Sequence, residues 1–448
     1  MSGRMPKYST VAFAIAALAV ALVVQAPWAA AQVASDQEAG YIVFPKVVVD
    51  TAGTVYGAGR RVDTLIQLTN TDSNPPNTAT GPAAAAPHRF HCFWINTNSC
   101  CGSACGSTNN VICDPNSADP CEGGLPCVQS WSEQSNFQVL LTAGQPLGFL
   151  ASTGQGFVDC DAQNSNAGCT SVAEGSVSGV GSPFIGELKC VEVFQTTDEA
   201  TQPEPTNPAP IARNDLKGEA RIYSVTSGTG QNTVDARQYN AVGFPVPSSV
   251  TTFDDSSCAA PNDVNCKTES LCLGAPSPGP TAGCPSQEYA GCPSAVILNH
   301  FFDNATPFTS TESVRTTLTL VPCSEDILVA TPAAQQNVRV QLAIFNEFEQ
   351  RFSSSTQVNC YRSTPLSDLD TVPGPSDDAT SIFSASVQGT LTGQTRIVGG
   401  PGNALHGLIG IAEETYTNSS NQAVFSDAFN LHYDPMGTAR FDVVNIQP

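Results

Sequence analysis

Val62-Asp63-Thr64-Leu65-Ile66-Gln67-Leu68-Thr69-Asn70 sets Val62, Thr64, Ile66 and Leu68 on one side of an extended chain and Asp63, Gln67 and Thr69 on the other. A period of two is the mark of a half-buried strand. Val338-Arg339-Val340-Gln341-Leu342-Ala343-Ile344-Phe345-Asn346 repeats the pattern almost position for position, with Asn346 standing where Asn70 stands. Upstream of each run, Val43-Phe44-Pro45 parallels Leu320-Val321-Pro322, and the proline suits an edge strand because it has no N–H to give to a ladder. Downstream, Cys92 parallels Cys360, Leu141-Thr142-Ala143-Gly144-Gln145 parallels Leu391-Thr392-Gly393-Gln394, and Phe184-Ile185-Gly186 parallels Leu408-Ile409-Gly410. Five landmarks in one order predict a divergent internal duplication.

The spacing between landmarks then locates insertions. From Cys92 to Leu141 is 49 positions but from Cys360 to Leu391 only 31; from Leu141 to Ile185 is 44 but from Leu391 to Ile409 only 18. The first copy has therefore grown two connectors, and cysteines collect in them. Cys100, Cys101, Cys105, Cys113, Cys121 and Cys127 lie in the first, Cys160 and Cys169 in the second. A Gly/Pro-rich stretch at 248–291 holds Cys258, Cys266, Cys272 and Cys284. Connectors of this kind cannot bury a core, so disulfides are the expected means of ordering them. Cys160 with Cys169 is the best single pairing, because those two stand alone in one connector. Cys258 and Cys266 are a further candidate pair. Cys92, Cys190, Cys292, Cys323 and Cys360 sit at strand-like runs and are expected to tie strands or sheets together. The total of 17 is odd, which leaves one thiol unpaired or joined to another molecule.

Composition agrees with a strand-built chain. Its 36 Gly and 33 Pro among 448 residues interrupt long helices at a cost and suit short strands joined by turns. In the second copy strand-like runs fall at about 316–323, 338–348, 358–361, 382–391, 407–412, 425–433 and 441–446. Seven short strands with turn signals between them are what an immunoglobulin-like sandwich requires, and a jelly roll satisfies the same pattern. The expected fold is all-β: two tandem sandwich modules, 32–305 and 306–448, the first carrying disulfide-stapled insertions at about 96–135, 151–182 and 248–291.

Arg4 and Lys7, an apolar run over 11–24 and the small residues Ala29-Ala30-Ala31 have the order of a secretory signal, with cleavage expected before Gln32. The apolar run is shorter than the ~20 residues of a spanning helix, and no later run is long enough, so no membrane span is expected after cleavage. Export is what makes disulfides the first reading of the cysteines. The zinc spacing C-x-x-C is absent. With 18 Lys+Arg against 40 Asp+Glu, the chain lacks the cations that nucleic-acid phosphates need.

Candidate chemistry is sparse. His88 and His91 are three apart on one strand and face opposite ways, so they do not share a metal. His300, between Asn299 and Phe301 with Asp303 nearby, reads as a satisfied structural histidine. Glu347 and Glu349 are two apart on one strand face, the separation a glycosidase acid pair needs, but a solvated edge explains them more simply. Glu413 and Glu414 are adjacent and face apart. The serines of Gly175-Ser176-Val177-Ser178-Gly179 are misplaced for a nucleophile elbow. Asn70-x-Asp72-x-Asn74 and Asp159-x-Asp161 are short oxygen clusters without the rest of a calcium loop, and turn capping is the simpler reading. Asn304-Ala305-Thr306 and Asn418-Ser419-Ser420 are glycosylation sequons. No catalytic, cofactor or metal site is expected.

The reading points first to a periplasmic, cell-surface or extracellular protein with a non-catalytic binding or structural role at the cell envelope. Its partner would be an envelope or extracellular protein or a glycan, met by loops over 96–131 with Trp131 as an aromatic anchor. A secreted polysaccharide hydrolase whose acids converge from different strands is the second reading. A self-assembling surface-layer or fibre subunit is the third.

Overall fold

The computed structural model describes residues 33–56, 59–72, 88–97, 99–101, 127–129, 132–154, 177–193, 210–227, 232–248, 270–274, 288–306, 312–323, 337–359, 361–370, 380–400, 407–418, 423–433 and 442–445. The first strands are β1 (Ala34–Ser35), β2 (Tyr41–Val49), β3 (Arg60–Asn70), β4 (His88–Asn96), β5 (Ser99–Cys101), β6 (Cys127–Gln129), β7 (Ser132–Leu141), β8 (Pro146–Leu150), β9 (Phe184–Val193), β10 (Leu216–Ser227), β11 (Asn232–Asn240) and β12 (Val242–Phe244). They are followed by β13 (Ser270–Leu273), β14 (Ala295–Phe301), β15 (Ser313–Pro322), β16 (Asn337–Asn346), β17 (Arg351–Asn359), β18 (Arg362–Pro365), β19 (Thr392–Gly399), β20 (Leu408–Thr417), β21 (Ala423–Asn430), β22 (His432–Tyr433) and β23 (Asp442–Asn445). The fold is all-β, as the alternating runs predict, and its strands lie in several antiparallel sheets.

The first pair of sheets has strand orders β1-β12-β2-β9-β4-β7 and β11-β10-β3-β8. Val62, Ile66 and Leu68 of β3 point into the core between them with Phe44, Phe90, Trp94, Phe184 and Leu188. Thr64 shares that face, and its hydroxyl bridges the sheets: it accepts from Val48 N at 2.9 Å and donates to Val48 O at 2.9 Å. Trp94, Phe137, Phe149 and Phe184 pack ring against ring, and the indole N–H donates to Ser178 O at 2.7 Å. Cys92 and Cys190 stand directly opposite each other on β4 and β9 and are disulfide-bonded. Both strands belong to one sheet, so this bond does not span the sandwich as the immunoglobulin disulfide does.

β2 departs from the expectation in an informative way. All nine residues of Tyr-Ile-Val-Phe-Pro-Lys-Val-Val-Val are buried, and the strand lies between β12 and β9 instead of at an edge. Pro45 is tolerated inside the sheet because the register with β9 shifts between Phe44 and Val47, and pairing with β12 involves only Tyr41 to Val43. The second face of this sheet is covered too. Tyr41, Val43, Val191 and Phe244 meet Leu271 and Tyr289 from the 248–291 stretch, Cys292 just after it, and Val321 and Ile409 from the second pair of sheets. Two described pieces of that stretch are thus core, and β13 pairs with β23.

The second pair of sheets has orders β17-β16-β19-β14-β22 and β18-β15-β20-β21. Val338, Val340, Leu342 and Ile344 all enter its core, as their alternation predicts. β14 pairs with β19 in this body, although it precedes the boundary read at 305. The run expected as a strand over 382–391 is instead a bend around a single helical turn, Ala385–Gln388, and the strand begins at Thr392. Asp370 holds the bend by accepting from Ser381 Oγ at 2.5 Å and Ile382 N at 2.8 Å, and Gly389 ends the turn with φ of 68°. Cys292 and Cys323 are disulfide-bonded beside the start of β14 and the end of β15, which belong to different sheets.

The landmark pairs meet unevenly. β2 with β9 and β15 with β20 are antiparallel neighbours, and so are β3 with β8 and β16 with β19. Gly186 and Gly410 are required in both by close backbone approach: a Cβ would lie 2.0 Å from Ile95 O or 2.1 Å from Thr319 O. The other neighbours differ, since β3 takes β10 where β16 takes its own hairpin partner β17. Cys360 lies outside the described residues.

A seam joins the two bodies. At the bulge of β2, Lys46 reaches Glu413 of β20, which also accepts from Arg237 of β11 at 2.8 Å; Lys46 donates as well to Ser363 Oγ at 3.0 Å. Glu413 is 1% exposed. Its burial alone would raise the pKa, but Lys46 and Arg237 overcome that and hold it below the usual carboxylate range. Along the edges of β11 and β21, Asn240 N donates to Asn430 Oδ1 at 3.0 Å while Asn430 Nδ2 donates to Asn240 O at 2.6 Å. Removing one partner of a buried ion pair leaves an uncompensated charge. Glu413→Ala is therefore expected to lower unfolding stability by about 3–5 kcal/mol in a denaturant titration. Adding Lys46→Met should recover part of the loss; a double variant no more stable than Glu413→Ala would show that uncompensated charge is not the cause.

Candidate functional site

A group of titratable side chains closes one end of the first core. Backbone pairing places it. Asn70 ends β3, donates from Nδ2 to Leu141 O at 2.8 Å and accepts from Asp72 N at 3.0 Å, a turn that fixes Asp72. Thr71 N donates to Asp215 O at 2.7 Å, which brings Asp215, just before β10, alongside. Asn214 braces the same segment by accepting from Gly40 N at 3.1 Å and Val246 N at 2.6 Å. From the facing sheet come His88, the first residue of β4, and Glu192, near the end of β9.

His88 lies at the centre. Its Nδ1 is 2.9 Å from Glu192 Oε1 and 3.3 Å from Asp215 Oδ2; its Nε2 is 3.3 Å from Asp72 Oδ2. Arg213 Nη1 also lies 3.3 Å from Nε2, and 3.9 Å from Glu192 Oε1. Burial depresses the imidazolium, but Asp215 and Glu192 outweigh it and push the His88 pKa up to about 9. Burial likewise raises Glu192, against the opposing pull of His88. One nitrogen cannot both donate to Asp72 and accept from Arg213, so the contacts of Nε2 compete. Asp72, His88 and Asp215 each offer one ligand atom, and these atoms lie within 4.8 Å of one another.

The other candidates serve the fold. His91 faces away from His88, packs on Phe93 and is depressed to about 4, chiefly by burial. His300 is buried beside Phe302 and Phe383, with Nδ1 3.0 Å from Phe301 O and Nε2 2.8 Å from Thr395 Oγ1, and burial likewise depresses it to about 4. Glu347 and Glu349 are in the turn between β16 and β17 and not on a strand face. Glu347 accepts from Thr392 N at 2.9 Å and Thr392 Oγ1 at 2.8 Å, and Glu349 has φ of 60°. Asn346 caps this turn from Phe348 N, the counterpart of Asn70 with Asp72 N. Glu413 is committed to the seam. Glu414, on the opposite face of β20, accepts from Tyr416 Oη at 3.0 Å. Asn304 is exposed with φ of 63°. Trp131, Cys160, Cys169, Cys258, Cys266, Asn74 and the Asp159-x-Asp161 pair lie outside the described residues.

Sequence reading missed Glu192, Arg213 and Asp215. Only Glu192 leaves a trace: in Phe184-Ile185-Gly186-Glu187-Leu188-Lys189-Cys190-Val191-Glu192 it continues the core-facing series of Phe184, Leu188 and Cys190, where a charge is unexpected.

No family model matches the sequence, and no curated protein matches it. Among solved structures, the CupB6 tip adhesin from Pseudomonas aeruginosa aligns over 92% of this chain and 100% of that chain, at 7% identity and a TM-score of 0.12. Agreement of that order carries no weight for fold or role.

His300 provides a pH test. Its folded pKa of about 4 lies below the unfolded value near 6.5, so the unfolded chain binds the extra proton between them. The stabilisation is complete above pH 6.5 and is lost as pH falls toward 4, by as much as ~3 kcal/mol. Urea titrations at pH 7 and pH 4.5 should show a smaller drop for His300→Gln than for the wild type; equal drops would contradict a neutral buried imidazole.

Proposed function

We propose that the chain is an exported protein with a non-catalytic binding or structural role at the cell envelope, displaying long connectors from paired sandwiches. The observation that carries this reading is the seam. Lys46, Glu413 and Arg237 commit two buried charges and one half-buried one to fastening one sandwich to the other, which suits a support for recognition loops. Two disulfides are in keeping with an oxidising compartment. Among the described residues no helix is long and apolar enough to cross a membrane. The signal peptide and the Trp131 loop complete the proposal from sequence.

A second reading has one observation in its favour. Glu414 and Asp427 are directly opposed across β20 and β21, and the neighbouring pair Tyr416 and Phe425 stack at 4.1 Å. Acids from two strands beside aromatic rings are what a polysaccharide hydrolase would need. Against it, Glu414 is engaged by Tyr416, and Asp427 accepts from Ala428 N at 2.8 Å.

Cell fractionation with N-terminal sequencing, followed by reducing-sugar release assays on the purified mature chain, separates the readings. We expect a chain beginning at Gln32 in the envelope or medium that releases no sugar. An uncleaved cytosolic chain would overturn export, and sugar release abolished by Asp427→Asn would establish the hydrolase.

A further inference from the structure

We propose that the outward face of the five-stranded sheet β17-β16-β19-β14-β22 binds an acidic polysaccharide, a polymer of uronate-type sugars. The inference rests on the binding role proposed above and gives that role a surface and a class of partner.

Alternation decides what this face carries. Val338, Val340, Leu342, Ile344, Val358 and Ile397 enter the core, so the residues between them point outward. Arg339, Arg351 and Arg396 are among these, and all three are exposed. Register places Arg339 beside Gln357, Arg396 in one row with Ser353, Ala343 and Ile297, and Arg351 in another with Phe345, Gln394 and Asn299. None of the five strands contains an Asp or Glu, although the chain has 40. The other three large sheets all hold acids: Glu187 and Glu192 in the first, Asp63 and Glu219 in its companion, and Glu413 and Glu414 in the sheet of β20. The nearest acids along the chain are Glu347 and Glu349, in the turn at one end of the face, and Glu347 is engaged by Thr392. Among the described residues neither Arg339 nor Arg351 has an ion-pair partner.

Charge complementarity therefore selects an anion, in a chain whose formal charge is −22. That total does not cancel the face, because at ~0.1 M salt a charge is felt over only ~10 Å. Spacing selects a polymer. Arg339 stands four positions along β16 from Ala343, the partner of Arg396, and six from Phe345, the partner of Arg351, so at ~3.3 Å per residue the three arginines spread over ~20 Å. They do not converge on one phosphate, and three cations are few for a nucleic-acid backbone. Each can take a separate carboxylate through paired N–H groups. Between them the hydroxyls of Ser353 and Ser355 and the amides of Gln341 and Gln357 are exposed and suit sugar hydroxyls. Half-buried Phe345 offers a ring edge to the apolar side of a sugar. At the other edge His432, opposite Ile297, also lines a hollow of about 460 Å3 with Ser35, Gln238, Asn240 and Asn430, whose lining holds no acid either.

The test uses the purified mature chain at ~0.1 M NaCl, a salt level at which distant charges are screened. Polygalacturonate and alginate are titrated by biolayer interferometry, with dextran as the neutral polymer. We expect both uronate polymers to bind, dextran not to bind, and binding to be lost at ~1 M NaCl, where screening is nearly complete. Joint replacement Arg339→Gln and Arg351→Gln should weaken binding about tenfold or more, with circular dichroism and the thermal midpoint unchanged because both side chains are exposed. Arg61→Gln, which removes an exposed arginine of the first sandwich, should leave binding as it is. The proposal is overturned by no binding of either uronate polymer, by equal binding of dextran, by a double variant that binds like the wild type, by an equal loss in Arg61→Gln, or by binding of a DNA duplex or phosphatidylglycerol vesicles in place of the uronate polymers. A chain that begins at Gln32 in the envelope and binds neither uronate polymer overturns this face and leaves export standing.

Discussion

An ammonium group shut away from water has to meet a carboxylate, and Lys46 meets one outside its own sandwich. It is the one charged residue in a strand that is buried along its whole length, because the six-stranded sheet is covered by the β3 sheet on one face and by the 248–291 stretch and second body on the other. The bulge after Phe44 makes the escape geometrically available. It frees Pro45 from the ladder, turns the Lys46 carbonyl toward the Tyr239 hydroxyl and sends the ammonium to Glu413. Once Glu413 is placed, β20 is placed, and Arg237 follows from β11. The relation of the two bodies is thus already implied by a lysine in an otherwise apolar strand.

What could be read from the sequence is what depends on local pattern. Val62, Ile66 and Leu68, and Val338 to Ile344 at every second position, go into cores because a period of two admits one buried face. The misreadings fall where a distant contact overrides the pattern. Pro45 is edge-like by its own chemistry, but the bulge and the short reach of β12 admit it to the interior. The 382–391 run has strand-like residues, yet the Asp370 carboxylate captures Ser381 and Ile382 and bends it. β14 reads as a strand in either body, and only pairing with β19 assigns it to the second.

The ionic cluster was harder to foresee for the same reason. Asp72, His88, Glu192 and Asp215 come from four separate segments, and no spacing rule connects them. His88 stands out in the sequence by its distance from His91, which is a fact about faces and not about partners. Glu192 alone carries a local sign, a charge in a row of core positions, and a single misfit of that kind says that a partner exists without naming it.

Position gives the cluster a structural logic that the cysteines sharpen. A sandwich held only by apolar contact needs closure at the ends of its core, where side chains run out before the sheets do. In the second body Cys292 and Cys323 supply a covalent link between the strands of opposite sheets. In the first, the disulfide among the described residues lies within one sheet and fastens nothing across the core. Cross-sheet links there include the Thr64 hydroxyl in the middle, the Tyr239 hydroxyl on the Lys46 carbonyl, and the Asp72, His88, Glu192 and Asp215 group at the end. Charges are a costly way to close a core unless something of opposite sign draws them together. His88 meets all three carboxylates, and Arg213 approaches the same imidazole at 3.3 Å. An end that is otherwise well braced, by Asn70, Thr71 and Asn214, therefore keeps a centre whose own contacts conflict.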